Sequence, residues 1–325
     1  MHIETAAGQS GIRRDFSGLG TMNHIQIFNC FKNQLLDKAV RRVSEIDGKM
    51  SAFDPGSEIF RLNQAAGRKP VAVSEEAFLL LKRAKEFAEL SGGAFDMTIR
   101  PLVALWGIGR KSDFIPQQPE IENARKLVNH NDLILDESKC TAYLKKTGQA
   151  VDLGGIAKGY AADEVKCLLT EGGVPSALID LGGNIVAVGS RPDGEPWQVG
   201  IQNPASVRGE YIGTLAVTDK TVVTSGSNEQ FFVKAGSRYH HILDPRTGRP
   251  AQSGLLSVTV VGISSVAADA LTTAAFVLGM EKGAKFLKAR GVEAVFTTEN
   301  YRIYLTEGLI GQFTVNTGHR SGGAN

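Results

Sequence analysis

The sequence has little of what marks a disulfide-rich, zinc-binding or nucleic-acid-binding protein. Its 325 residues contain only three cysteines, and none belongs to a Cys-x-x-Cys pair. An odd number of widely spaced cysteines predicts neither a disulfide framework nor a zinc site. The formal net charge is +2, and no run of lysine and arginine is present. Nucleic acid is therefore not expected as a partner.

Long apolar segments are also missing. No run approaches the roughly 20 apolar residues of a membrane span, and residues 1–16 are polar, without the apolar core of a signal peptide or a lipid-attachment cysteine. We expect a cytoplasmic protein with no membrane span, or a periplasmic one if a native signal sequence has been removed. Hydrophobic residues make up 42% of the chain and charged residues 22%, which is ordinary for a chain with a substantial core.

Residues 151–160, Val-Asp-Leu-Gly-Gly-Ile-Ala-Lys-Gly-Tyr, carry the most informative local pattern. They predict a strand, a tight glycine turn and the start of a helix that ends near Gly172. Glycines let a backbone approach a ligand closely, and the free amides at a helix start attract anions. Lys158 falls in the first turn, where a cation opposes the helix dipole, so we expect a negative charge beside it. Spacing alone does not separate a phosphate cradle from a glycine turn formed for packing.

Residues 94–109 combine Phe95, Asp96 and Trp106 with two glycines. Aromatic rings beside a carboxylate suit a flat heteroaromatic ligand, and a tryptophan packed in a loop is the alternative that composition leaves open. Phe53 precedes the turn residues Asp54-Pro-Gly56 and is interpreted either as an exposed stacking ring or as an anchor of that loop. A second Asp-Leu-Gly-Gly, at 180–183, indicates either an internal duplication or two strand ends in one site. The rest of the two segments does not align, so we take the second interpretation.

Two histidines lie in a predicted strand over residues 238–243. Alternation along a strand puts Tyr239, His241 and Leu243 on one face and His240 and Ile242 on the other. Only one of the two imidazoles is therefore expected to face a cleft. A lone histidine is more often a structural hydrogen-bonding group than a base, so the spacing alone leaves its role open.

A helix is predicted from about Val266 to Leu278, capped by Ser264 or Ser265. Within it Asp269 and Thr273 are four residues apart and share a face, with Thr272 beside them. A carboxylate and a hydroxyl, supplemented by backbone carbonyl and phosphate oxygens, form a set of hard ligands suited to Mg2+. Packing in an alanine-rich helix is the alternative interpretation.

Six segments in order resemble the motif series of the ApbE family, the FAD:protein FMN transferases. They are Phe53-Asp-Pro-Gly-Ser-Glu58, Gly93-Ala-Phe-Asp96 with Pro101-Leu102 and Leu105-Trp-Gly-Ile-Gly109, residues 151–160, Thr224-Ser-Gly226, His241-Ile-Leu-Asp-Pro-Arg-Thr-Gly248, and Asp269-Ala-Leu-Thr-Thr273. Each motif alone is weak, but six in the right order, spanning residues 18–278, are highly specific.

The resemblance implies an α+β fold of two interlocked lobes, with mixed, largely antiparallel sheets and a flavin cleft between them. It implies one domain over residues 18–315, with flexible segments at 1–17 and 316–325. The residues implied to contact FAD are Leu19, Phe53, Ala94, Phe95, Asp96, Asp152, Lys158 and Ile242, and those implied to hold Mg2+ are Gly155 (through its carbonyl), Asp269 and Thr273. Leu19 stands where the family usually has methionine. Thr272 stands where some members have a second aspartate, which implies a metal held less tightly or with an extra water.

The implied reaction is Mg2+-dependent transfer of the FMN moiety of FAD to a threonine or serine hydroxyl of a target flavoprotein, with release of AMP. Breaking a pyrophosphate requires a site that neutralises the negative charge on the bridging and departing oxygens. Mg2+ and Lys158 are suited to that role. His241 is the expected base for the acceptor hydroxyl. A Mg2+-dependent FAD pyrophosphatase and a non-catalytic flavin-binding protein remain alternatives. A doubly wound nucleotide enzyme is disfavoured, because no Gly-x-Gly-x-x-Gly follows an early strand.

Overall fold

The computed structural model describes residues 11–109, 113–206 and 209–316. The α-helices of these residues are α1 (Asn33–Met50), α2 (Glu58–Gln64), α3 (Glu75–Leu90), α4 (Arg100–Trp106), α5 (Gln118–Arg125), α6 (Ala157–Glu171), α7 (Ser265–Leu278) and α8 (Met280–Lys288). Within the described ranges no helix is both long enough and apolar enough to span a bilayer.

The strands of the described residues are mostly short. They are β1 (Gly11–Gly18), β2 (Thr21–Phe28), β3 (Val71–Ala72), β4 (Leu133–Asp136), β5 (Thr141–Leu144), β6 (Ala177–Leu181), β7 (Asn184–Val188), β8 (Trp197–Gln202), β9 (Tyr211–Val217), β10 (Thr221–Gly226), β11 (Phe231–Lys234), β12 (Ser237–His240), β13 (Leu243–Asp244), β14 (Arg249–Pro250), β15 (Leu255–Gly262), β16 (Glu293–Thr298), β17 (Ile303–Leu305) and β18 (Phe313–Val315).

A central sheet of eight strands organises the molecule, in the order β1-β2-β6-β7-β10-β15-β16-β17. Every neighbouring pair in it is antiparallel. Smaller sheets have the orders β18-β9-β8 and β3-β5-β4, and β11-β12 and β13-β14 are two-stranded. The structure confirms the predicted α+β class with largely antiparallel sheets.

Both faces of the central sheet are covered, as its apolar strands require. Along β7, Val186 and Val188 pack into the core shared with α1, α6 and α7, whereas Ile185 and Ala187 pack into a second core. The second core is completed by β8 and β9, including Trp197, which is fully buried. The alternation of side chains in β7 thus places helices on one face of the sheet and a small sheet on the other.

The spacing of Leu35, Ala39, Val43 and Ile46 predicts one apolar face of α1. In the structure Ala39, Val43 and Ile46 are buried, but at the start of the helix the buried residue is Leu36 rather than Leu35. The side chain of Ser74 caps α3 by accepting a hydrogen bond from the N–H of Ala77. The side chain of Ser264, rather than that of Ser265, caps α7 in the same way through the N–H of Ala267. Helix α5 begins at Gln118, three residues before the predicted start at Ile121.

Two predicted strands are wrong or shortened. Residues 151–153 form no strand, because the side chain of Asn63 takes the place of a neighbouring strand: its Nδ2 donates to the Val151 carbonyl at 2.9 Å and its Oδ1 accepts from the Val151 N–H at 2.7 Å. The strand predicted over 238–243 ends at His240. The chain changes partner there, since His241 N–H donates to Gln230 whereas the Ile242 carbonyl accepts from Ala251.

The predicted chain ends differ in part. Residues 11–17, expected within a flexible segment, belong to β1, which pairs with β2 along its whole length. At the other end Asn316 donates its N–H to the Ile212 carbonyl at 2.9 Å. Residues 1–10 and 317–325, predicted as flexible, lie outside the described residues, and the single-domain boundary 18–315 stays a prediction.

Candidate functional site

A cavity of about 380 Å³ opens between the central sheet with its helices and the segment that leads into α4. Its walls collect every predicted site residue except Phe53. These residues are Leu19, Ala94, Phe95, Asp96, Asp152, Gly155, Lys158, His241, Ile242, Asp269 and Thr273. The structure therefore brings together positions that are up to 254 residues apart in the sequence. The roles assigned to them stay predictions.

The floor of the cavity is made where the start of α6 crosses α7. A Cβ on Gly159 would lie 2.2 Å from the Ser265 carbonyl oxygen, so only glycine permits this approach of the two helices. The approach lets the Gly159 N–H donate to Asp269 Oδ2 at 3.0 Å. Gly159 is the third residue of α6, and the first N–H groups of a helix have no partner within it. The Asp269 carboxylate supplies that partner, and Gly155, which precedes the helix, lines the cavity beside it.

Lys158 has the negatively charged neighbour that its position in the first turn of α6 predicted. Its Nζ lies 3.9 Å from Asp269 Oδ1 and donates to the Gly154 carbonyl at 2.8 Å. Burial raises the pKa of Asp269, against the opposing effects of the Lys158 charge and the Gly159 N–H. The carboxylate is only 4% exposed. With the Lys158 ammonium no nearer than 3.9 Å, Asp269 Oδ1 is available as an oxygen ligand for a further cation.

Oxygen donors surround that carboxylate. Thr273 Oγ1 lies one helical turn after Asp269 and 3.3 Å from Ser225 Oγ, and a Cβ on Gly155 would lie 3.6 Å from the same Thr273 oxygen. One carboxylate, one hydroxyl and one carbonyl fit a hard cation such as Mg2+, which is commonly bound by one or two carboxylates together with substrate phosphates and water. In the described residues no cluster of three His, Cys, Asp or Glu side chains forms a metal site.

Thr272 does not belong to this donor set. It is fully buried, and its Oγ1 donates to the Val258 carbonyl at 2.9 Å, towards β15 and away from the cavity. Thr272 was not among the predicted metal ligands, and the expectation that its place in the family pattern means a metal held less tightly or with an extra water stays a prediction. The Thr272 hydroxyl has its hydrogen-bond partner in the backbone of β15.

Phe53 is the predicted site residue that the structure does not place at the cavity wall. Its ring is 43% exposed, and the guanidinium of Arg100 lies over it at 4.1 Å from the ring centroid. The Ser51 hydroxyl accepts from the N–H groups of Phe53 and Asp54 and so fixes the turn. Phe53 is thus exposed rather than used to anchor the loop, and its contact with FAD stays a prediction.

His240 and His241 are separated by their surroundings, and only His241 reaches the cavity, as predicted. His240 is buried, and its Nε2 donates to the Ala251 carbonyl at 3.0 Å. His241 presents an exposed imidazole to the cleft, with Nδ1 3.4 Å from the Gln230 carbonyl. Because a carbonyl can only accept, Nδ1 carries the proton and Nε2 has a free lone pair.

The lowered pKa of His241 keeps its imidazole unprotonated and therefore available to accept a proton. The protein atoms around the cleft lower the pKa of the imidazole from 6.5 to about 4, and the charges of His240 and Lys158 act in the same direction, whereas the Gln230 carbonyl opposes them. His241 is therefore neutral at physiological pH. A neutral imidazole with a free Nε2 can take a proton from a hydroxyl.

Several wall residues were missed or left open by the sequence. Trp106 is 1% exposed and donates from Nε1 to the Gly248 carbonyl at 2.8 Å, so it is mainly a packed wall residue. The lining residues not assigned from sequence include Gly182, Asn184, Thr224, Ser225, Glu229 and Gln230. The repeated Asp-Leu-Gly-Gly at 180–183 was the available signal for the first two, and it does mark two turns in one site.

Comparisons with known proteins agree with the resemblance. Residues 19–296 match the family model described as ApbE family. A Klebsiella pneumoniae (strain 342) protein named FAD:protein FMN transferase is 41% identical over 251 residues, covering 77% of this chain and 78% of its own length. A Treponema pallidum (strain Nichols) protein of the same name is 35% identical over 315 residues, covering 91% and 87%.

Solved structures give the same result for the fold. The crystal structure of the ApbE protein from Thermotoga maritima MSB8 superposes with a TM-score of 0.85 at 32% identity, over 93% of this chain and 99% of that one. The flavin transferase ApbE from Vibrio cholerae superposes with a TM-score of 0.83 at 29% identity, over 94% and 99%.

Proposed function

The chain belongs to the ApbE family, and from this premise we propose that it is an FAD:protein FMN transferase that moves the FMN moiety of FAD to a threonine or serine hydroxyl of a target flavoprotein and releases AMP. One observation carries the proposal. Lys158, His241 and Asp269, from three separate parts of the chain, line one cavity. A cation, a neutral base and a buried carboxylate are the groups that cleavage of a diphosphate by a hydroxyl requires.

The residues divide the reaction between them. His241 Nε2 takes the proton of the acceptor hydroxyl while its oxygen attacks the phosphorus of the FMN half. A new O–P bond forms, the bond from that phosphorus to the bridging oxygen breaks, and AMP leaves with the electron pair. Lys158 stabilises the negative charge that develops on the departing phosphate oxygens. Phe95 and Ile242, both buried in the wall, offer apolar surface to the flavin ring.

Mg2+ is part of this proposal. Asp269, Thr273 and the Gly155 carbonyl are the groups that would hold it, since they are hard oxygen donors on neighbouring parts of the cavity floor. The chemistry supplied by a bound Mg2+ is charge neutralisation at the diphosphate. Without the ion, the Lys158 ammonium 3.9 Å away is the cation that faces the Asp269 carboxylate.

The second candidate is a Mg2+-dependent FAD pyrophosphatase, which would use water where the transferase uses a protein hydroxyl. The observation that favours it is the exposure of the His241 imidazole to the cleft, because water reaches it as readily as a protein side chain does. Both activities share every residue named above.

Mass spectrometry of a candidate acceptor domain co-expressed with this protein tests the proposal. We expect the added mass of FMN on one threonine or serine, and its loss when that residue is changed to alanine. An unmodified acceptor together with free FMN from FAD and Mg2+ would favour the pyrophosphatase. If neither the modified acceptor nor free FMN is formed, the result favours a non-catalytic flavin-binding protein. Because the cytoplasm is our proposed location, the modified acceptor should be recovered from the cytoplasmic fraction.

A further inference from the structure

Asp96 lines the cavity, but its carboxylate is already fully occupied by the protein. Oδ1 accepts from the N–H of Thr98 at 2.8 Å and from its hydroxyl at 2.6 Å. Oδ2 accepts from the N–H of His130 and from its Nδ1, each at 3.0 Å. An ionised carboxylate offers about four acceptor positions. No acceptor position remains for a ligand.

We infer that His130 is a positioning residue for the flavin substrate: it fixes Asp96, and with it the wall formed by residues 94–98, and it neutralises a carboxylate that faces the cavity. This inference rests on the proposed function for the identity of the ligand. It goes beyond that function by assigning a role to a residue outside all six motif segments and by removing the Asp96 carboxylate from the groups that bind FAD directly.

The connection is a closed set of hydrogen bonds between two loops. Besides donating to Asp96, Thr98 Oγ1 accepts from the N–H of Asn129 at 2.8 Å. Residues 129 and 130 are therefore tied to residues 96 and 98 by both side-chain and backbone groups. The Asp96 side chain is 4% exposed and that of His130 15%. Buried, mutually satisfied polar groups of this kind fix the geometry of a wall more firmly than an exposed ion pair would.

The second part of the inference concerns the charge of His130. FAD carries a negatively charged diphosphate, and an unpaired carboxylate in the cavity wall would repel it. The hydrogen bond to Asp96 raises the pKa of His130 above its ordinary 6.5, burial opposes that rise, and the charge of Asp96 adds to it. Of the more distant charges, Glu89 raises the pKa of His130 and Lys85 lowers it. The raised pKa favours the charged form of His130, and that form offsets the charge of Asp96 at the cavity side of the loop.

The test compares FAD affinity in three variants, measured by quenching of flavin fluorescence. His130→Leu removes the donor and the charge, and we expect its Kd for FAD to rise about tenfold, with kcat changed much less. His130→Asn keeps a donor near the position of Nδ1 and should restore most of the affinity. His24→Leu is the matched control, because His24 also pairs with an aspartate, Asp15, but does not line the cavity; it should bind FAD like the wild type.

A second variant keeps the test valid if His130→Leu does not fold. Thr98→Val removes the hydroxyl from the same set of bonds and should also weaken FAD binding, whereas Thr98→Ser should restore it. In the wild type the affinity should fall as the pH rises through the pKa of His130, and in His130→Asn this fall should vanish. Unchanged Kd values in His130→Leu and Thr98→Val, or identical pH profiles in wild type and His130→Asn, overturn the inference.

The failure of the inference can be told from a failure of the proposed function. If the wild type binds no FAD, the function itself is wrong. If the wild type binds FAD and modifies its acceptor while the His130 and Thr98 variants do so equally well, the function stands and the positioning role is wrong.

Discussion

Asp269 and Asp96 line the same cavity, but their surroundings give them opposite properties. Asp96 receives four hydrogen bonds from Thr98 and His130. Asp269 receives one at Oδ2, from the Gly159 N–H, and its Oδ1 faces the Lys158 ammonium at 3.9 Å. Both carboxylates are buried. One is therefore satisfied by the protein, and the other keeps an acceptor position turned towards the cleft.

The comparison shows that the hydrogen-bond partners of a residue, and not its presence in a cavity, indicate its function. The neighbouring histidines give the same result. His240 is enclosed and donates to a backbone carbonyl, whereas His241 is held at Nδ1 and presents a free Nε2. A carboxylate or imidazole that is incompletely satisfied in a native structure is the better candidate for binding or catalysis.

The largest effect is expected from Asp269→Asn. Loss of the charge that holds the cation should lower the rate of transfer by about 10²-fold or more and raise the Mg2+ concentration needed for half-maximal AMP release. Burial raises the folded-state pKa of Asp269 above its ordinary 3.8, so the stability linked to its protonation is present below that value and is lost as the pH rises through the folded pKa.

At pH 7 the Asp269→Asn variant should therefore unfold at the same or a higher temperature than the wild type while being nearly inactive. An unchanged Mg2+ requirement would remove Asp269 from the metal site. The matched change at the other carboxylate, Asp96→Asn, should lower the stability of the fold. Its amide would place an NH2 group against existing donors, which should lower the free energy of unfolding by about 2 kcal/mol, as measured by urea denaturation.

His241→Ala should slow transfer by about 10²-fold or more, because a positioned base is lost, while FAD binding is retained. In the wild type, desolvation by the protein atoms around the cleft lowers the pKa of His241 to about 4, so kcat/KM should stay high on acidification until the pH approaches that value rather than 6.5. The acid limb should disappear from the residual activity of the variant. A wild-type acid limb near 6.5, or a variant that transfers FMN at the normal rate, would assign the proton transfer to another group.

The sequence predicted the parts of the site that depend on local signals. The caps and apolar spacing of α3 and α7, and the position of Lys158 in the first turn of α6, all follow from residues within a few positions of each other. The six motifs then identified the family. The motif order also placed Asp269 and His241 correctly at one cavity, although nothing local connects them.

Hydrogen bonds made by side chains that are distant in the sequence could not be predicted. Nothing near residues 151–153 indicates that Asn63, 88 positions earlier, will satisfy the backbone of Val151 in place of a strand. Likewise, the pairing of Asp96 with His130 spans 34 positions, and His130 belongs to no repeat or motif. In both cases a side chain from a distant part of the chain makes the hydrogen bonds, and sequence periodicity carries no information about it.

The smallest expected effects separate two adjacent threonines of α7. Thr273→Val is isosteric but removes a hydroxyl from the cavity floor, and we expect the Mg2+ concentration for half-maximal AMP release to rise about tenfold. Thr272→Val removes only the hydrogen bond to the Val258 carbonyl, so it should cost about 1 kcal/mol of stability and leave the Mg2+ requirement unchanged. Both variants are to be titrated with Mg2+ at saturating FAD and unfolded in urea. An equal shift in Mg2+ requirement for both would mean that the metal is not held through the Thr273 hydroxyl, because the two side chains lie about 100° apart around α7 and contact different groups.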